Sequence, residues 1–191
     1  MALATAQIEV ELREISLKNR PQELYNISSK ATVPVLQLSD STVIDESLDI
    51  MYWALEKPSS DWLNYEFKKQ NKMISFNDFK FKPWLDKYKY SIRFPEASIQ
   101  SYQKQCEKML LPYENDLSRT KYLIDNKIQL VDMAIFPFIR QFANVDRIWF
   151  ESRFPNIERW LEEFIQSKLF KRVMIKYKPW CQGDNPKHVI F

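Results

Sequence analysis

Glycine is nearly absent from this chain: one residue in 191, Gly183. Phosphate-cradling loops of the P-loop and dinucleotide-binding kinds need several glycines, for tight turns and for close backbone approach, so both are excluded. Histidine is equally scarce, with His188 alone. The two cysteines, Cys106 and Cys181, stand far apart. Histidine-based hydrolase triads, zinc clusters and a disulfide framework therefore lack their raw material, and no metal site is expected. The formal net charge is only +3, from 28 basic and 25 acidic residues, and the basic residues are scattered. Neither a nucleic acid nor an anionic membrane is an expected partner. No apolar stretch approaches the roughly 20 residues that a membrane span needs. The opening residues, MALATAQIEVELREI, lack a basic leader region and become charged within ten residues. They make a poor signal peptide, so a reducing, cytoplasmic location is expected.

What is abundant is aromatic: 13 Phe, 9 Tyr and 6 Trp, or 15% of the chain, within 45% hydrophobic and 28% charged residues. This is a globular balance that excludes disorder and points to packed helices or an aromatic-lined cleft. The length fits one large domain or two small ones.

The first 57 residues differ from the rest. Ile8, Val10 and Leu12 alternate with Glu9, Glu11 and Arg13, as in a half-buried strand. Pro21 suits the first turn of a short helix ending near Ile27. Val33 to Leu38 reads as a strand opening on a proline, Ser39-Asp40-Ser41 as a turn, and Thr42 to Ile44 as a returning strand. Asp45 is a good N-cap for a helix carrying Leu48, Met51, Tyr52 and Leu55. From Pro58 onward no strand signal persists. Trp62, Tyr65, Phe67 and Met73 lie in a charged helical stretch. Ile99 to Leu117 keeps helical spacing across Pro112, Leu130 to Ala143 is apolar nearly all round, and Pro155 opens a stripe of Ile157, Trp160, Leu161, Phe164 and Ile165. Leu169 to Met174 suggests a last helix. Two domains are expected, 1–57 and 58–191, joined near Glu56 to Ser60, the second ending in a tail.

Two short pieces carry chemistry. Val33-Pro34 sets Val33's peptide groups at the exposed start of a strand, where they can pair with a peptide-like ligand as an added strand. Glu46 and Ser47, reached through the hairpin, fall in the first turn of the next helix, where free N–H groups and the positive dipole end favour a carboxylate. Ser47's hydroxyl adds a donor and Glu46 accepts from an ammonium, so the pair is a receptor for an amino-acid head group. Arg20 suits a second carboxylate.

Val33-Pro34 followed by Glu46-Ser47 resembles the glutathione transferase superfamily. The resemblance covers roughly residues 1 to 180. It implies an α+β chain, with an incomplete thioredoxin-like N-terminal domain followed by an all-α helical domain. It implies glutathione as co-substrate, held by Arg20, Val33, Pro34, Glu46 and Ser47, a small hydrophobic electrophile or thiol as second substrate, and a homodimer. The stretch Leu17-Lys18-Asn19-Arg20-Pro21 is similar to the omega-like branch, in which a basic residue meets the glycine carboxylate of glutathione. Gln129 to Phe138 resembles the family's buried helix, with Asp132 in an N-capping box that is weakened because Gln129 stands where the family prefers Ser or Thr. Ala31 stands where glycine is common.

The departure from the family is at the start. The family's first strand and catalytic Tyr, Ser or Cys are missing, and MALATAQ matches only the last turns of the first helix. No catalytic residue is assigned. A misplaced start or a truncated product is the expectation, because a gap of two strand spacings, about 9 to 10 Å, would leave sheet edges unpaired. The alternative to an enzyme is a catalytically silent interaction module. Cys106 lies on an apolar helical stripe and reads as a structural thiol, while Cys181 and His188 belong to a polar tail. Phe79, Phe81, Trp84, Tyr88 and Tyr90 are assigned to helix packing first and to a cleft wall second.

Overall fold

The structure is a computed structural model, and it describes residues 1–56, 61–63 and 66–191. The expected linker after Glu56, together with Pro58 and Tyr65, lies outside the described residues. The chain forms two compact units, Met1–Ser60 with Lys168–Phe191, and Asp61–Ser167.

The first unit runs α1 (Ala2–Thr5), β1 (Val10–Glu11), α2 (Gln22–Ile27), β2 (Leu36–Gln37), β3 (Val43–Ile44) and α3 (Ser47–Leu55). It resumes much later with α10 (Lys168–Val173) and β4 (His188–Val189). The N-terminal segment is helical at Ala2–Thr5 and packs on α3 and α10, burying Ala2 and Ala4. The Arg172 guanidinium donates to the Ala4 carbonyl at 3.3 Å. The expected strands are present but short. They form two separate antiparallel pairs, β1 with β4 and β2 with β3, and no ladder joins the pairs among the described residues.

The C-terminal tail departs from the reading that kept it with residues 58–191. It returns to pair Val10 with Val189 and Glu11 with His188, so His188 sits in a strand and not in a free tail. Leu12 N–H donates to the Lys187 carbonyl at 2.8 Å, and Trp180 N–H donates to that of Glu14 at 2.7 Å. Such pairing satisfies backbone groups that an open edge would leave bare.

The second unit is helical: α4 (Phe67–Phe76), α5 (Lys82–Lys89), α6 (Ile99–Leu117), α7 (Leu130–Ala143), α8 (Arg147–Arg153) and α9 (Pro155–Gln166). A π-helical turn, Asn77–Phe81, joins α4 to α5. Pro83, just beyond it, has no N–H to give the α-ladder, which favours a widened turn there. Phe81 and Tyr88 are core residues, whereas Phe79 is 76% exposed, so the aromatic run divides between packing and surface.

The centre of this unit is α7. Its Asp132 is fully buried and accepts three hydrogen bonds, from Leu123 N–H at 3.0 Å, Gln129 N–H at 2.9 Å and Trp160 Nε1 at 2.9 Å. Burial wins over those donors and pushes its carboxyl up to about 6. Both halves of the capping box are in place at the start of α7, with Gln129 N–H donating to Asp132 Oδ2 and the Gln129 side chain set toward the Asp132 N–H, which also lies 3.2 Å from Gln129's own carbonyl. Gln70 supplies a further cap, its Oε1 accepting from Val131 N–H at 3.0 Å. Glu114 does the same for α9, accepting from the N–H groups of Asn156 and Ile157 at 3.0 and 2.9 Å. Phe136, Trp160 and Phe164 close over Asp132's helix, with ring centroids 5.3 to 6.2 Å apart.

Candidate functional site

The candidate site lies at the open end of the β2–β3 hairpin. Leu36 pairs with Ile44 and Gln37 with Val43. Both chains leaving this ladder at its open end carry the candidate residues: Val33-Pro34 on one side and Asp45-Glu46-Ser47 on the other. The hairpin thus brings the two motifs to one place, because an antiparallel register ties a residue before β2 to one after β3.

The Val33–Pro34 peptide bond is cis. Val33 is 47% exposed, and its N–H and C=O have no partner among the described residues. A peptide-like ligand therefore meets free backbone groups there. Ahead of it, Ala31 holds φ at +48°, a left-handed conformation that costs a Cβ-bearing residue on the order of 1 kcal/mol. Its N–H closes the loop onto the Ser28 carbonyl at 3.0 Å.

The start of α3 differs in detail from the expectation. Glu46, not Asp45, holds the N-cap position, and its side chain makes no capping bond. Ser47 is the first helical residue and is exposed, so its hydroxyl and the first-turn N–H groups face solvent together. Asp45 turns back to the loop before β2, where Ser28 Oγ donates to it at 2.9 Å and Lys30 Nζ at 3.0 Å. Lys30 also reaches Glu46 Oε1 at 2.5 Å. The hydrogen bonds to Glu46 and Asp45 push the Lys30 ammonium above its usual range, and the Lys30 bond pulls Asp45 below the carboxylate range.

Lys30 is the residue that sequence reasoning missed. Its signal is weak: a lysine three positions before Val33 looks like an ordinary surface charge until the hairpin folds Asp45 and Glu46 beside it. Arg20 is not brought into this group. It is exposed, with no hydrogen bond or ion pair among the described residues. Val33 and Pro34 also line a cavity of about 920 Å³ within this unit, which Arg20, Glu46 and Ser47 do not line. Cys106 is buried on α6, and burial pushes its thiol up to about 12, so it is a structural thiol. Cys181 is exposed. Among the described residues no cluster of three or more His, Cys, Asp or Glu side chains could hold a metal, and no helix is long and apolar enough to cross a membrane.

The arrangement is similar to known proteins over most of its length. Residues 1–57 match the family model described as glutathione S-transferase, N-terminal domain, and residues 67–168 match that for the C-terminal domain. Glutathione S-transferase GstB of Escherichia coli is 25% identical over 80 residues, which are 42% of this chain and 38% of that protein's length. The match to this curated relative thus spans well under half of it.

Many solved structures share the fold, among them the following two. A glutathione transferase family member from Pseudomonas fluorescens Pf-5, solved with two glutathione bound, aligns at TM-score 0.75 and 16% identity, covering 90% of this chain and 84% of that one. A class Gtt2 glutathione S-transferase from Vibrio parahaemolyticus aligns at TM-score 0.68 and 21% identity, covering 89% and 90%. The fold is that of a glutathione transferase, a small thioredoxin-like domain with few strands and a helical C-terminal domain. On both domain matches, the chain belongs to the glutathione S-transferase family.

Proposed function

We propose that this chain binds glutathione at the open end of its β2–β3 hairpin. One observation carries the reading: an unpaired, exposed Val33 peptide and an exposed Ser47 at the first position of a nine-residue helix leave the same end of one hairpin. Val33 would take the cysteinyl backbone of glutathione as an added strand, and Ser47 with the α3 N-terminus would take the γ-glutamyl carboxylate. Glu46 would accept from the ligand's ammonium, which requires its ion pair with Lys30 to open or be shared. Pro34 sets the direction of the clamp, and Arg20 is assigned the glycine carboxylate. That last assignment, and the Leu17 to Pro21 stretch, favour an omega-like or Cys-type branch. The expected reaction class is conjugation to a small electrophile or reduction of a thiol substrate, by a cytoplasmic homodimer.

Calorimetric titration with glutathione tests the site. Ser47→Ala removes one hydrogen bond to a charged group, a loss of about 1.5 to 3 kcal/mol, or roughly tenfold or more in affinity. Equal affinity in the wild type and Ser47→Ala would overturn the assignment.

A second reading, a catalytically silent interaction module, has its own support. Lys30 already occupies the Glu46 carboxylate, and the buried Cys106 offers no reactive thiol. Binding of glutathione without turnover of an electrophile or a mixed disulfide favours this reading over the enzyme.

A further inference from the structure

Lys30 spans from the loop before β2 to the start of α3, and that loop is fixed at its base. Ser28 is buried, its Oγ donates to Asp45 Oδ2 at 2.9 Å, and its carbonyl accepts from Ala31 N–H at 3.0 Å. The left-handed turn at Ala31 closes the loop directly after Lys30. From there the Lys30 ammonium donates to Asp45 Oδ1 at 3.0 Å and to Glu46 Oε1 at 2.5 Å. An ammonium carries three N–H donors, so these two bonds leave one to spare.

Glu46 is the group that a γ-glutamyl ammonium would meet. Lys30 brings such an ammonium from the chain itself, at hydrogen-bond distance from the same carboxylate. The side chains of Lys30 and Glu46 are 47% and 61% exposed, so a ligand can reach the pair, and an ion pair so open to water exchanges partners readily. A ligand ammonium arriving at Glu46 either displaces Lys30 or sits beside it. In the first case one charge-assisted bond replaces another; in the second the two cations repel. The ammonium therefore adds little to binding. The ligand's carboxylate is in the opposite position. The start of α3 carries Asp45, Glu46 and Asp49, and all three oppose an incoming anion. Lys30 offsets part of that field, and its spare N–H lies next to the helix start where Ser47 stands.

We propose that Lys30 is a specificity-determining residue of the head-group subsite: by standing in for the ligand's ammonium, it makes the subsite select a carboxylate and leaves it indifferent to the α-amino group. The ligand class is then wider than glutathione. It comprises cysteinyl peptides acylated by a dicarboxylic acid, with or without the amino group of a γ-glutamyl residue. The proposal rests on the reading of the hairpin end as a glutathione site, and it adds which part of the head group that site recognises.

Calorimetry on the full chain tests it, comparing glutathione with its des-amino analogue, glutaryl-cysteinyl-glycine, at low ionic strength, where exposed charges are least screened. The wild type is expected to bind the two within about threefold of each other. Lys30→Met frees Glu46 for the ligand's ammonium and restores the field against a lone carboxylate. Its preference for glutathione is expected to rise by roughly tenfold or more over the wild type. Lys30→Arg keeps the cation and is expected to keep the wild-type ratio. A purely structural role for Lys30 would weaken both ligands alike and leave the ratio unmoved. A larger wild-type preference for glutathione, or a smaller change in Lys30→Met, would overturn the proposal. If Ser47→Ala weakens both ligands in the same experiment, such a result removes the role of Lys30 and leaves the site standing. Binding that Ser47→Ala does not weaken, or no binding of either ligand, would overturn the site and the role of Lys30 together.

Discussion

Removing the Asp132 carboxylate is expected to be among the most damaging single changes in the helical unit. Asp132→Ala leaves three donors without an acceptor: Leu123 N–H, Gln129 N–H and Trp160 Nε1. Each orphaned buried donor costs about 1 to 3 kcal/mol. Losing the buried charge returns part of its desolvation cost, so the net expected loss is about 3 to 5 kcal/mol, a large part of the roughly 5 to 15 kcal/mol that stabilises a typical domain. Asp132→Asn separates the contributions. Leu123 and Trp160 both donate to Oδ1, which an amide oxygen replaces, while Gln129 N–H points at Oδ2, where an amide NH2 would oppose it. One bond of three is lost, and the expected cost is about 1 to 2 kcal/mol. Urea unfolding at pH 7, followed by far-ultraviolet circular dichroism and by Trp fluorescence with equal slopes, measures both. A loss below about 1 kcal/mol for Asp132→Ala, or equal losses for the two variants, would refute the reasoning from donor count.

Three further outcomes follow from the same geometry. Asp132's carboxyl is raised from 3.8 to about 6 by burial, so the folded state holds its proton to higher pH than the unfolded state. The stability this contributes is full below about pH 4 and is lost as pH rises through about 6, by on the order of 2 to 3 kcal/mol relative to Asp132→Asn; a pH-independent difference between the two proteins contradicts it. The native protein should show one fast-reacting thiol, Cys181, with Cys106 reacting only on unfolding, and two fast thiols by mass spectrometry after maleimide treatment would place Cys106 wrongly. Deleting residues 187–191 should raise amide exchange at Leu12 at least tenfold while leaving Val131 protected, because Leu12 donates to Lys187 and Val131 to Gln70 in the other unit.

Helix periodicity made the second unit readable. The α6 stripe from Ile99 to Leu117 and the α7 run from Leu130 to Ala143 have the boundaries that their apolar spacing and caps predict. Those are local signals, and each residue's burial follows from its place on a 3.6-residue repeat. The hairpin was readable for the same reason, since Val33-Pro34 and the turn at Ser39 to Ser41 declare themselves within ten residues. Less local features were not legible. Asp45 has the chemistry of an N-cap, but tertiary folding brings Ser28 and Lys30 within reach, and two charge-assisted or hydroxyl bonds outcompete one cap. The π-helical turn before Pro83 leaves no mark in hydrophobic period.

The sequence by itself determined the family, through the Val33-Pro34 and Glu46-Ser47 spacing, the order of the domains, and the buried Asp132 helix. These depend on contacts close along the chain or on strong periodicity. Tertiary structure alone decided that the tail strand His188–Val189 would cover the outer edge of β1, more than 170 positions away in sequence. It alone brought residues of the β1 and β2 segments to the walls of one cavity. A two-residue strand has no period to read, and backbone hydrogen bonding is blind to side-chain identity. Which edge finds a partner is therefore settled by where the folded chain passes, and not by what its residues are.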